Sequence, residues 1–246
     1  MAVRDMVFEE GDRVRTVGRF VPGADGDWLD LARVRTPISR PPGWKSYRSI
    51  RLIGTDAEAA DWSPNRVWNS VSVVGIWGDE SIEVEELSSE LPAPDPYVPR
   101  TDPPCPPPPG GWRRDEPAWN TAFDTGDLVS SGTIVHQAIF RPSANQEVLV
   151  VAAADVDEVT RQMSPHFPDQ LCVVPSRFSR AQLDEVRDVL HARWREWRVE
   201  TFGTGSDLQA QPFITARLFR ITPEIADWSD RLPEGLLRLD PALSPA

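Results

Sequence analysis

Cysteine, histidine and lysine are scarce in this 246-residue chain, and no long apolar run occurs. Each scarcity excludes something. Two cysteines, Cys105 and Cys172, cannot make a disulfide framework or supply a cysteine zinc site by themselves. A reducing cytoplasm is therefore the expected location. Cys172 lies in Leu171-Cys172-Val173-Val174, the pattern of a buried strand in which cysteine acts as a small hydrophobe. Cys105 lies in a proline tract and is expected to be exposed. No basic residue or helix start adjoins it to lower its pKa, so it is not expected to be reactive.

The three histidines, His136, His166 and His191, show no i, i+4 pair and no His-Glu-x-x-His pattern. No metal site and no cofactor are expected. Lysine appears once, at Lys45. That bias reads as GC-rich coding, with selection for bidentate arginine contacts as the sharper reading. The longest apolar run, Val148 to Ala154, falls well short of the roughly 20 residues of a membrane helix, so no membrane is expected. The first ten residues lack a basic segment leading into an apolar one, so no secretory signal is expected.

Catalytic motifs are missing as well. There is no Gly-x-Ser-x-Gly elbow and no Ser-x-x-Lys. Gly203-Thr204-Gly205 is a lone Gly-x-Gly, expected as a glycine-rich turn between two strands. The chain is not expected to be an enzyme. The alternative kept open is a site assembled between two domains.

What is present begins with charge and core. Acidic residues number 38 against 26 basic, for a net charge of -12, and 40% of residues are hydrophobic, enough to bury a core. Pro92 to Pro117 holds eleven prolines. Proline lacks the N–H that helices and central strands need, so this segment reads as a semi-rigid linker in polyproline II form. It divides the chain into residues 1–91 and 118–246.

The first part reads as five short strands: 12–21, 28–34, 47–54, 67–77 and 81–87. A helix is expected between the third and fourth, opened by the capping box Thr55 to Glu58. Gly18 and Gly75 fall inside strands, where a small barrel must bend sharply. This order predicts an N-terminal OB-like small β-barrel. The second part predicts an α+β sandwich with helices on one face of a mixed sheet. A hairpin is expected over 132–141 and 147–153, with a helix from Asp155 to about Met163. Ser179 and Gln182 make a capping box, and Phe178 with Leu183 makes a hydrophobic staple. The helix they open carries Leu183, Val186, Leu190, Trp194 and Trp197 along one face. No internal repeat links the two parts.

Three surface features point to partners. Residues 12–51 hold nine basic and four acidic side chains, interleaved with Trp28, Trp44 and Tyr47, the mixture of a stacking groove for single-stranded nucleic acid. Residues 52–100 hold ten acids and two bases, which disfavours that reading. Glu83, Glu85 and Glu86 belong to an acidic run that could hold a divalent cation or act as an acid/base pair, and reads more simply as a solvated strand edge. Arg180, Arg187, His191 and Arg198 fall in one sector of the long helix, with local ion pairs or an acidic partner as the two readings. Ten tryptophans complete the picture, of which Trp44, Trp112 and Trp119 lie among prolines, glycines and charges. They serve an interface, or they pin the linker onto a domain.

The reading that joins these features is a non-enzymatic binding or assembly module. Its expected binding residues are Trp28, Trp44, Tyr47, Arg48, Trp112, Trp119, Arg187 and His191, and its expected partner is another protein or a second copy.

Overall fold

The computed structural model describes residues 2–22, 25–31, 49–55, 70–93, 98–113 and 125–246. The expected helix after Thr55 lies outside them, apart from Thr55 itself. Five strands follow the predicted order: β1 (Arg13–Val21), β2 (Asp27–Asp30), β3 (Ser49–Ile53), β4 (Ser70–Gly78) and β5 (Ser81–Ser88). Their alternation does the sorting. In β4 every second residue, Val71, Val73, Gly75 and Trp77, is buried. Val14, Leu29, Ile50, Leu52 and Ile82 join them in one interior. Each such aliphatic side chain contributes about 1.5–3 kcal/mol by leaving water.

The strands pair in the order β1-β2-β3-β5-β4, and β4 returns to β1 along seven registered residues, so the sheet closes into a barrel. The β3–β5 contact is parallel and the others are antiparallel. Two glycines are needed for closure. A Cβ on Gly18 would lie 2.8 Å from the Asp30 carbonyl oxygen, and one on Gly75 would lie 2.2 Å from that of Glu83. Gly75 also sits at the shift in the β4–β5 register. The acidic strand β5 has a partner on each side. That double pairing covers Ser81 to Glu83, so Glu83 is not at a sheet edge, contrary to the expectation, whereas Glu85 and Glu86 lie beyond it, alongside β4 alone among the described strands. Glu85 accepts a hydrogen bond from Arg13 on β1 at 2.7 Å.

The rest of the chain begins with a short helix, α1 (Gly126–Ser130). Two units of like plan follow. The first is β6 (Ile134–Ser143), β7 (Gln146–Ala153), α2 (Val156–Met163) and β8 (Leu171–Pro175). After the helix α3 (Arg180–Ala192) comes the second: β9 (Val199–Ser206), β10 (Pro212–Leu218), α4 (Pro223–Ser229) and β11 (Leu237–Pro241). In each, a hairpin leads through a capped helix to a third strand lying parallel to the second. Asp155 and Thr222 cap the two helices from equivalent places. The expected single mixed sheet is thus two separate three-stranded sheets, each of them mixed. Gly203 to Ser206 lie inside β9, and the turn expected there comes one step later, at Asp207 to Gln211.

The caps follow their local sequence. The Ser179 hydroxyl accepts from the Gln182 amide, and the Gln182 side chain accepts from the Ser179 amide. Phe178, Leu183, Val186, Leu190 and Trp197 are buried between α3, α4 and the β9–β10–β11 sheet.

The barrel and the later segment share structure in several places. A final strand, β12 (Leu243–Pro245), pairs antiparallel with Val14 to Thr16 of β1. Val7 bridges to Ile221. Phe219 enters the barrel core beside Trp77 and Phe8, with ring centroids 6.2 and 5.9 Å apart in the two edge-on pairs. Arg198 lies 3.5 Å over the Phe219 ring and bonds Glu80 in the β4–β5 turn.

The proline-rich segment also makes contacts. Over residues 98–113 it runs back across the β6–β7–β8 sheet. The Arg100 carbonyl accepts from the Arg141 amide at 2.7 Å, and the Asp169 carbonyl accepts from the Arg113 amide at 3.0 Å. Cys105 and Cys172 form a disulfide, with their Cα atoms 5.6 Å apart. Cys105 is half-buried, not exposed, and Cys172 is a bridged residue and not merely a small hydrophobe. The reason for the miss is that 67 residues separate the two, and a strap folding back onto a strand leaves no periodic trace. No helix among the described residues is long and apolar enough to cross a membrane.

Candidate functional site

The outer face of the β2–β3 pair carries the most partner-like chemistry on the barrel. Alternation along β3 turns Ile50 and Leu52 inward and leaves Arg51 and Ile53 outside. Trp28 of β2 stands directly opposite Arg51 in the antiparallel register. The two are cross-strand neighbours on one face, with Cβ atoms close enough for a guanidinium to meet an indole. Ile53 is 47% exposed, one of the few large aliphatic side chains so open among the described residues. The Thr55 hydroxyl hydrogen-bonds the Asp27 carboxylate and ties the end of β3 to the start of β2. On the other flank, Ile53 is registered with Glu83 of β5, so acids border the face.

The structure distributes the expected binding residues unevenly. Trp28 lies on this face half-buried, with its indole Nε1 shielded from solvent. Trp44, Tyr47, Arg48 and Trp119 lie outside the described residues. Trp112 is half-buried. It packs with Cys105 against the core of Ala138, Phe140, Val148 and Val150, and its carbonyl accepts from the Gln146 side chain at 2.8 Å. Arg187 donates to Asp184, which also accepts from Arg180, so two of the helix arginines share one local carboxylate. His191 is exposed in the last turn of α3. Arg198 is not on the helix, which ends at Ala192.

Two of the barrel arginines counted toward a nucleic-acid groove have acid partners: Arg13 with Glu85, and Arg19 with the buried Asp30. From sequence Arg51 counts only among the nine basic residues of 12–51 and Ile53 only as a residue of the third strand, and neither is an expected binding residue. Their signal was present in the i, i+2 alternation of β3, but which face would stay open depends on what covers the barrel.

His136 on β6 is half-buried. Burial, followed by the positive charges of Arg100 and Arg180, lowers its pKa from the ordinary value of 6.5 and favours the neutral ring. No group of three or more His, Cys, Asp or Glu among the described residues is placed to hold a metal ion.

A groove of about 650 Å³ runs beside the barrel, where β1 and β12 meet the later strands. Arg13, Arg15 and Arg217 line it together with Glu86 and Glu90. Its mixed charge, with Arg13 and Arg217 already held by carboxylates, gives it less binding potential than the β2–β3 face.

Comparison with protein-family models, with curated proteins and with solved structures found no match for this chain.

Proposed function

We propose that this protein is a non-enzymatic binding module built on an OB-like barrel, which docks another protein through the outer face of β2 and β3. The observation that carries the reading is the Trp28–Arg51 cross-strand pair beside exposed Ile53. The strand order β1-β2-β3-β5-β4 with closure onto β1 supports the OB-like assignment, since that barrel type presents ligands to its second and third strands. Tryptophan and arginine are the residues that most often dominate binding energy at protein interfaces. In this reading residues 1–91 and 118–246 are the two working parts, and 92–117 joins them.

The test is light scattering on purified protein together with chemical crosslinking and mass spectrometry. A dimer, or a captured partner, crosslinked near β2–β3 and weakened at least tenfold by Trp28→Ala with Arg51→Glu, is the expected result. A strict monomer with no crosslinks at this face overturns the proposal.

The same face favours one second reading, single-stranded nucleic acid, because an aromatic beside an arginine is also a base-stacking platform. Against it stands the Glu83–Ile53 register, which sets a carboxylate next to the path of any phosphate. A gel shift with oligo(dT) at low salt decides between them. No shift removes this reading.

A cytoplasmic location is likewise a proposal, and the Cys105–Cys172 bond weighs against it. Disulfides persist in oxidising compartments and are rare where glutathione keeps thiols reduced. Thiol labelling of the protein in its native cells settles the point. Two labelled cysteines support the cytoplasm, and none supports an oxidising compartment.

A further inference from the structure

A second groove, of about 560 Å³, lies where the strap meets the two three-stranded sheets. Its size is that of a small-molecule site. Three guanidinium groups reach it: Arg100 from the strap, Arg141 from β6 and Arg238 from β11. One carboxylate lines it, that of Asp207, and its Oδ1 already accepts from the Gln209 and Gln211 amides. In a chain with net charge -12, a concave surface with an excess of positive charge stands out.

The arginines differ in how they are held. Arg141 is paired with Glu147. Arg100 and Arg238 have no carboxylate partner among the described residues. Arg238 lies flat on the Phe213 ring, with its guanidinium carbon 3.6 Å from the ring centroid. A stacked guanidinium keeps its in-plane N–H donors open at its edge. Arg100 stands over Phe140 at 5.8 Å and donates from one nitrogen to the Ser206 carbonyl at 2.6 Å, so its other donors are uncommitted. Ser206 itself is 7% exposed, and its hydroxyl is buried without a hydrogen-bond partner. A buried donor in that state costs stability until something accepts from it. Around these groups stand Val98 at 57% and Leu208 at 47% exposure, both open to solvent at the groove.

We propose that this groove is a binding site for a small organic anion, a carboxylate or phosphate group carried on a short apolar body. The oxyanion sits between Arg238 and Arg100, the arrangement in which a fork of N–H donors meets two acceptor oxygens. The apolar body covers Val98 and Leu208. Arg100 and Val98 belong to the strap, so the site exists only with the strap in place.

Phenyl phosphate, benzoate, inorganic phosphate and neutral benzyl alcohol are titrated separately into ¹⁵N-labelled full-length protein at low salt. Saturable amide shifts for phenyl phosphate or benzoate, confined to residues near 98–100, 206–208 and 238, are the expected result. The stronger of these two probes identifies the anion. Inorganic phosphate and benzyl alcohol should each bind at least about tenfold more weakly, each lacking one half of the recognition. Arg238→Gln, on the exposed side of β11, should weaken the stronger probe at least about tenfold, as loss of a charge-assisted hydrogen bond does. Arg100→Gln is the second variant, and an unchanged amide spectrum away from the groove verifies the fold of each. Absence of saturable shifts for either aromatic anion, or affinity unchanged in both variants, overturns the site. Inorganic phosphate binding as tightly as phenyl phosphate overturns the apolar half of the ligand.

Discussion

The two strand–strand–helix–strand units share a plan and solve opposite problems with it. In the first, β7 is buried on both faces. Leu149, Val151 and Ala153 pack toward α2 with Val159 and Met163. Val148 and Val150 pack the other way with Phe140 and Cys172, under Cys105 and Trp112 of the strap. In the second unit, Ile214, Ala216 and Leu218 of β10 pack toward α3 and α4. On the other side of that strand, Arg217 reaches Glu200 on β9 and Asp240 on β11. One sheet thus has an apolar second face closed by a proline-rich segment in place of a helix layer, and the other has a second face bound by charge. The lesson is that a chain too short of helix to cover every sheet face can use an extended segment, provided something fixes it there.

Four changes would break or sharpen this contrast. The largest effect is expected from Phe140→Ala. It empties a fully buried ring site beneath the strap and should cost about 4 kcal/mol, read by urea denaturation. An effect under about 1 kcal/mol would mean that the strap side is not a true core. Next is the disulfide. Replacing both Cys105 and Cys172 with alanine opens a 67-residue crosslink and should cost about 3 kcal/mol. Hydrogen exchange should rise in β6–β8 and stay level in β9–β11, and equal rises in both sheets would erase the distinction drawn between them.

Arg217→Ala is expected to cost about 2–3 kcal/mol, because Glu200 at 11% exposure loses its ion pair with Arg217 in a poorly solvated place. Its mark is specific to the second unit: hydrogen exchange should rise in β9–β11 and stay level in β6–β8. The smallest effect belongs to His136. Its folded pKa is lowered, so its contribution is fully present above the ordinary value of 6.5 and is lost as pH falls from there through the folded value. His136→Gln should flatten the stability profile below pH 6.5. Opening the disulfide should raise the His136 pKa in an NMR titration, since Arg100 on the strap is one of the charges that depress it.

Much of this architecture was legible because it is local. The alternation of β4 and β5, the Gly18 and Gly75 kinks, the Asp155, Ser179 and Thr222 caps and the apolar face of α3 are each written within a few residues. What was not legible depends on pairing at a distance. Leu243 to Pro245 is too short to announce itself as a strand and is made one by β1. The place of the strap is not legible either, because proline composition reports stiffness and says nothing of where a stiff segment lies. The candidate sites divide in the same way. Trp28 could be named from its sequence surroundings, whereas the Arg100, Arg238 and Ser206 groove gathers residues from three separate stretches.

The β1–β12 pairing joins positions about 230 residues apart, and this orders events during synthesis. The five barrel strands emerge from the ribosome before β12, and one stretch of β1 waits for its second neighbour until residues 243–245 have been made. Meanwhile the backbone amides and carbonyls of Val14 to Thr16 on that side are available to any passing extended peptide. The nascent chain is therefore exposed to misassociation in the interval between β1 and β12, and a holdase that shields strand edges would help it most in that interval.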